Sequence, residues 1–97
     1  MDEQKLTRRF FISGRVQGVG YRIFARHEAH KLGVSGFTRN LHDGRVEVLA
    51  QGTPAQLVEL RAALQRGPLF SSVDDVREED ARLEPQYSGK FVVERSD

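Results

Sequence analysis

Residues 9–22 read RFFISGRVQGVGYR and combine the patterns of a strand, a glycine-rich loop and the start of a helix. Apolar Phe10 and Ile12 lie two residues apart, which predicts a strand near the centre of a sheet with at least one face covered. Residues 14–20 contain three glycines in seven positions, as is typical of a loop that turns tightly or approaches another group closely. The segment therefore predicts a strand that leads through a tight loop into a helix.

Two helices are predicted from apolar spacing and from capping residues. The first covers residues 21–32, because four side chains fall on one helical face, namely Tyr21, Ala25, Ala29 and Leu32. Gly33 follows at the position where a left-handed residue ends many helices. The second helix opens with Thr53 as N-cap, Pro54 at the first turn and Gln56 completing a capping box. Its predicted buried stripe consists of Leu57, Leu60 and Leu64.

Four further strands are predicted, over residues 35–41, 45–51, 73–79 and 90–95. Asp43-Gly44 is a hairpin signal between the first two of them, and the irregular spacing of Val73 and Val76 indicates a bulge. The resulting order predicts an α+β fold, a ferredoxin-like βαββαβ sandwich with an antiparallel sheet and two helices on one face.

The composition excludes several classes of protein. The 97 residues include 15 basic and 14 acidic side chains and no cysteine, which excludes a disulfide scaffold, a cysteine-ligated zinc site and a thiol nucleophile. The net charge of +1 predicts no nucleic-acid or membrane partner. We expect a single domain over residues 1–97 with residues 1–7 flexible, and a monomer in the cytoplasm, since no signal peptide, membrane span or broad apolar stripe is evident.

The glycine loop predicts a small site for an anion. Amide groups at a helix N-terminus lack partners, and glycines let neighbouring N–H groups converge on a phosphate or carboxylate. The loop lacks the Lys and Ser/Thr of a P-loop and the third glycine of the dinucleotide fingerprint. Arg22 lies in the first helical turn, where a cation is unfavourable unless an anion is bound. The alternative is that the glycines serve only a tight turn and that Arg22 points to solvent.

Asn40 is the second candidate site residue. It lies near the end of the second predicted strand, and its side-chain amide offers a donor and an acceptor with which to orient a water molecule. The alternative is an ordinary asparagine at a strand end.

Together the two segments resemble the acylphosphatase family, whose members hydrolyse the carboxyl–phosphate bond of acylphosphates. The first motif of the family is matched by residues 12–22, which read ISGRVQGVGYR. The second is matched by Gly36-Phe37-Thr38-Arg39-Asn40, followed by Gly44, Val46 and Gly52. Two positions depart from the usual pattern, since Tyr21 replaces the commoner Phe and Thr38 replaces a small apolar residue.

The resemblance implies roles for particular residues. Arg22 would bind the phosphoryl group of an acylphosphate, and Asn40 would hold the attacking water. The phosphate-binding loop would contribute backbone amides from Arg15, Val16, Gln17, Gly18, Val19 and Gly20. The resemblance also implies no metal, no cofactor, no covalent intermediate, and inorganic phosphate as a product.

Other interpretations rest on weaker signals. His27 and His30 could share a metal, but no third ligand is apparent, and a solvated helix face is the better explanation. An RNA-binding module of the same fold would need exposed aromatic side chains such as Phe10, Phe11 or Phe91 on its sheet. Two alternatives remain. One is an acylphosphatase-like domain of a larger carbamoyl-transfer maturation protein, and the other is a homologue that keeps the anion-binding loop but no longer catalyses hydrolysis.

Overall fold

The computed structural model describes residues 4–97. The predicted order of elements is confirmed, with these bounds: β1 Leu6–Arg15, α1 Tyr21–Leu32, β2 Ser35–Asn40, β3 Val46–Gly52, α2 Pro54–Arg66, β4 Ser72–Asp80, a 3-10 turn at Pro85–Tyr87 and β5 Phe91–Val93. Both helices pack on one face of the sheet, over a core supplied by alternating residues of β1 and β3 and by the leucines of α2. The ferredoxin-like α+β fold is confirmed. Neither helix has the length and apolar character needed to span a bilayer within residues 4–97.

The sheet is mixed, whereas the sequence predicted an antiparallel one. The strand order is β4-β1-β3-β2-β5, and β5 pairs in parallel with β2 while all other pairs are antiparallel. The reason is the connection formed by residues 81–90, which carries the chain from one edge of the sheet to the other. It is held by a bond from the Ala81 amide to the Thr7 carbonyl (3.1 Å) and by one from the Glu84 amide to Gln51 Oε1 (2.6 Å). The ring of Tyr87 then packs on Phe37.

The bounds of β1 and β5 differ from prediction, whereas the predicted bulge is present. β1 begins at Leu6, where it pairs with Gly52, so the last two of the seven residues predicted to be flexible belong to the sheet. Residues 1–3 of that predicted segment lie outside the described residues. β5 ends at Val93, two residues earlier than predicted. The bulge in β4 is confirmed, because Ser13 pairs with Asp75 and Gly14 with Val73, which leaves Asp74 as the extra residue.

The helix termini agree with the sequence signals. In α2 the hydroxyl of Thr53 accepts from the Gln56 amide at 3.2 Å, and Gln56 Oε1 accepts from the Thr53 amide at 2.8 Å. In α1 the C-terminal Gly33 adopts a left-handed conformation with φ of 76°. These caps fix the lengths of both helices, and thereby the position at which each returns to the sheet.

The hydroxyl of Tyr21 ties the two helices together. It donates to the carbonyl of Leu64 at 2.6 Å in the core. That carbonyl would ordinarily accept from the amide four residues later, but residue 68 is a proline and has no N–H. Burial raises the pKa of Tyr21 well above its usual value, so the hydroxyl stays protonated and donates. The hydroxyl that distinguishes Tyr21 from the commoner Phe therefore satisfies a buried carbonyl group.

We predict that Tyr21→Phe lowers the free energy of unfolding by about 1–3 kcal/mol, because it leaves the buried Leu64 carbonyl without a donor. Thermal unfolding measures the loss. Tyr87→Phe is the matched control: its hydroxyl bonds to Glu94 Oε2 near the surface, where water can replace it, so the loss there is smaller. Equal losses in the two variants would contradict this role for Tyr21.

Thr38 destabilises the folded protein in a way that the usual apolar residue would not. Its side chain is 0% exposed, and its hydroxyl has no hydrogen-bond partner among residues 4–97. A buried hydroxyl without a partner is destabilising, whereas a methyl group of the same shape is not.

We predict that Thr38→Val raises the free energy of unfolding by about 1 kcal/mol, which is roughly 4 °C or more in the melting temperature of a domain of this size. Thr38→Ser is the control, because it keeps the hydroxyl and loses the methyl group, so it destabilises the protein. A lower melting temperature for the valine variant would show that the hydroxyl has a stabilising partner.

Candidate active site

A small pocket lies where the loop after β1 meets the ends of β2 and β5. Its volume is about 140 Å³, and it is lined by Val16, Gly18, Gly20, Tyr21, Arg22, Ile23, Asn40 and Val93. The structure therefore brings together the two residues that the sequence singled out, Arg22 and Asn40. They are 18 positions apart in the chain.

The loop reaches this place because Gln17 holds it over the β2–β3 hairpin. β3 lies between β1 and β2 in the sheet, so the loop that follows β1 must cross the end of β3 to approach Asn40. Gln17 Nε2 donates to the carbonyls of Leu41 (2.8 Å) and Arg45 (2.9 Å), at the two ends of the hairpin turn. These bonds fix the loop beside the end of β2.

Three residues of the loop line the pocket, and the amide groups of this loop are unpaired. Gly18 and Gly20 adopt left-handed conformations with φ of 74° and 77°, which side chains rarely accept. Gly20 is the N-cap of α1 and offers no side-chain cap, and the first turn of α1 contains no acidic residue. The amides of residues 16–20 donate to no acceptor among residues 4–97. The positive end of α1 thus faces the pocket with free donors.

Arg22 is the one charged side chain among the residues that line the pocket. It is half-buried, and its Nη1 donates to the main-chain carbonyl of Glu94 at 3.2 Å, just after β5. This single bond orients the guanidinium and leaves its other N–H groups available for a ligand. With no carboxylate in the lining, the pocket favours an anion.

Asn40 is the last residue of β2 and pairs with Val46 of β3. Its main-chain carbonyl accepts from the amide of Asp97 at 3.1 Å, which holds the chain on the side of β2 away from β3. The side-chain amide makes no hydrogen bond within the described part of the chain, and Asn40 is among the residues that line the pocket. It is therefore free to bind a water molecule or a ligand oxygen.

Not every predicted loop residue lines the pocket. Val16, Gly18 and Gly20 do, whereas Arg15, Gln17 and Val19 do not. Arg15 belongs to β1 and pairs with Ser72, and the Gln17 side chain is engaged by the hairpin. The roles of their main-chain amides stay a prediction.

Sequence reasoning missed the contribution of β5. Val93 lines the pocket and the Glu94 carbonyl binds Arg22, although both lie more than 50 residues beyond Asn40. No local pattern could have identified them, because a parallel pairing between β2 and β5 is a long-range contact. Ile23, in contrast, directly follows Arg22 and could have been inferred from the helical pattern.

Two of the alternative interpretations, the RNA-binding module and the histidine metal site, gain no support from the structure. Phe10 and Phe91 are buried in the core at 0% and 2% exposure, and Phe11 lies beneath the guanidinium of Arg45 at 4.7 Å. These three rings therefore do not form the exposed stacking surface of an RNA-binding sheet. His27 and His30 are both exposed, and within residues 4–97 no three His, Cys, Asp or Glu side chains form a group that could hold a metal ion.

Comparison with known proteins identifies the family. The acylphosphatase family model matches residues 8–93. The chain is 53% identical over 77 residues to an acylphosphatase of Solibacter usitatus, covering 79% of this chain and 80% of that protein. It is 46% identical over 90 residues to an acylphosphatase of Vibrio cholerae, covering 93% and 99%. The crystal structure of acylphosphatase from Bacillus subtilis superimposes with a TM-score of 0.85 at 38% identity, covering 91% of this chain and 97% of that one. Sequence and fold agree, and the chain belongs to the acylphosphatase family.

Proposed function

We propose that this acylphosphatase hydrolyses the carboxyl–phosphate bond of acylphosphates by a direct attack of water. In the proposal, Arg22 and the amides of the glycine loop hold the phosphoryl group, and Asn40 holds the water. The observation that carries it is the meeting of Arg22, Asn40 and the unpaired N-terminus of α1 in one pocket of about 140 Å³.

The electrostatics of the pocket suit a phosphoryl group. The free amides of the loop and the helix dipole provide fixed positive potential, and the guanidinium adds a full charge with paired donors. These groups are in place before substrate binds, because Gln17 fixes the loop and the Glu94 carbonyl orients Arg22. Groups that need no reorganisation stabilise the charge of a transition state most effectively.

Asn40 faces this anion site from the end of β2. Its carboxamide oxygen can accept a hydrogen bond from water, which directs a lone pair of the water at phosphorus. Holding the water in this way replaces an encounter in solution with a fixed approach.

The chemistry needs no strong base. The water oxygen forms a bond to phosphorus while the bond from phosphorus to the acyl oxygen breaks, and the carboxylate leaves with that electron pair. A carboxylate is a good leaving group, so the loose transition state demands little activation of the water. The water's proton passes to a phosphoryl oxygen. Accordingly we propose a reaction without metal, cofactor or covalent intermediate, with acylphosphate as substrate and carboxylate and inorganic phosphate as products.

Monomeric state, a cytoplasmic location and the lack of a nucleic-acid partner stay predictions. Gel filtration tests the first, and titration with single-stranded RNA at moderate salt tests the last.

We predict that Arg22→Ala reduces kcat/KM for benzoyl phosphate by at least about 100-fold, because about 2.7 kcal/mol or more of transition-state stabilisation is lost. Arg22→Lys also has a low kcat/KM, since an ammonium group is a point charge without the paired, coplanar N–H donors of a guanidinium. Arg26→Ala is the control, as Arg26 is exposed one turn along the same helix. A normal rate in Arg22→Ala, with an unchanged melting temperature, would remove Arg22 from the mechanism.

We predict that Asn40→Ala lowers kcat for benzoyl phosphate while leaving inhibition by inorganic phosphate nearly unchanged. The reason is that Asn40 binds the water rather than the phosphoryl group. Steady-state kinetics with phosphate as inhibitor separates the two effects. A variant that turned over normally but no longer bound phosphate would assign Asn40 to the anion site instead.

A further inference from the structure

A second cavity lies at the other end of the sheet from the candidate active site. Its volume is about 350 Å³, larger than the 140 Å³ of the active-site pocket. It includes Ser35 and Phe91, at the starts of β2 and β5, whereas the active-site pocket includes Asn40 and Val93 at the ends of the same strands. The two cavities are therefore separate sites that share two strands.

Hydrogen bonds hold the main chain around this cavity in place. The Gly36 amide donates to the Lys90 carbonyl at 2.9 Å, and the Lys90 amide donates to the Tyr87 carbonyl at 3.1 Å. His30 Nε2 lies 3.2 Å from the Phe91 carbonyl, which joins the end of α1 to β5. Because these contacts fix the surrounding elements, the cavity is preformed, as small-molecule sites usually are.

Part of the cavity lining is apolar. Its lining includes the buried side chains of Val34 and Phe91, and Leu83 and Pro85 of the connection between β4 and β5. Leu83 is 59% exposed and so has apolar surface available to a ligand. A ligand with an apolar body would cover this side chain and gain about 25 cal/mol for each Å² of apolar surface removed from water.

The polar groups of the lining are basic or neutral. Lys5, His30 and Lys90 belong to the lining, and no Asp or Glu does. Within residues 4–97 neither lysine forms an ion pair. Two ammonium groups beside the apolar part of the lining complement a molecule with one anionic end and one apolar end.

We propose that this cavity binds a small amphipathic anion, with its apolar chain or ring against Phe91 and Leu83 and its charged group between Lys5 and Lys90. The site is separate from the pocket that holds Arg22 and Asn40, so the proposal does not depend on the hydrolytic mechanism. The size is sufficient for a ligand of modest length, since sites for small molecules begin at about 300 Å³.

Octanoate is a suitable probe because it has a carboxylate on a flexible apolar chain and no phosphoryl group. We predict saturable binding in calorimetry, with amide chemical-shift changes at Val34, Gly89 and Phe91. Lys90→Glu and Leu83→Asp are each expected to weaken binding at least about tenfold, because one reverses the complementary charge and the other places a carboxylate in the apolar part of the lining. Both positions are exposed, so the variants are expected to fold.

Two controls separate this site from the active site. Arg22→Ala should bind octanoate as the parent chain does, and Arg26→Glu should do so as well, although it changes the net charge as much as Lys90→Glu. Octylammonium, which has the same chain and the opposite charge, should not bind. The proposal is overturned if octanoate does not bind, if Arg22→Ala alone abolishes its binding, or if octylammonium binds equally well.

Discussion

Two hydrogen bonds from a single side-chain amide hold the candidate active site together. Gln17 Nε2 donates to the carbonyls of Leu41 (2.8 Å) and Arg45 (2.9 Å), which lie at opposite ends of the β2–β3 turn. The site needs the loop after β1 to meet the end of β2, yet β3 separates these two strands in the sheet. Since the turn carries both carbonyls, a shift of the turn moves the loop and Asn40 together. The relative position of the two proposed catalytic groups is thereby preserved.

The open face of the sheet is covered by charged side chains and by residues 81–90. Glu47 is 4% exposed; it accepts a hydrogen bond from Arg39 Nε at 2.6 Å and forms an ion pair with Arg9, whose Nε lies 3.0 Å from its Oε2. The hydrogen bond to Glu47 raises the pKa of Arg39. A buried carboxylate needs such partners, because without them its charge would be buried without compensation. Arg9 also reaches Glu84, in the connection that leads to β5, so the same cluster helps to place the last strand.

The parts of the fold that the sequence predicted are those with local causes. The capping box of Thr53 and Gln56 and the left-handed Gly33 act within a few residues, and both are present as expected. The start of β1 at Leu6 was missed because it depends on pairing with Gly52, 46 residues away in the chain. The candidate site follows the same rule. The motif that contains Arg22 could be recognised from neighbouring residues, whereas the hydrogen bond from the Tyr21 hydroxyl to the Leu64 carbonyl in α2 could not.

β5 shows most clearly why such long-range contacts matter. It has three residues, pairs only with β2 among the described strands, and is followed at once by the Glu94 carbonyl that orients Arg22. Its register places Val93 opposite Thr38, two residues before Asn40. Because side chains alternate along a strand, a slip of one residue would turn Val93 away from the pocket and displace the carbonyl from the guanidinium. The orientation of Arg22 therefore depends on the register of the shortest strand, which is set by the connection across the sheet and not by the motif that contains the arginine.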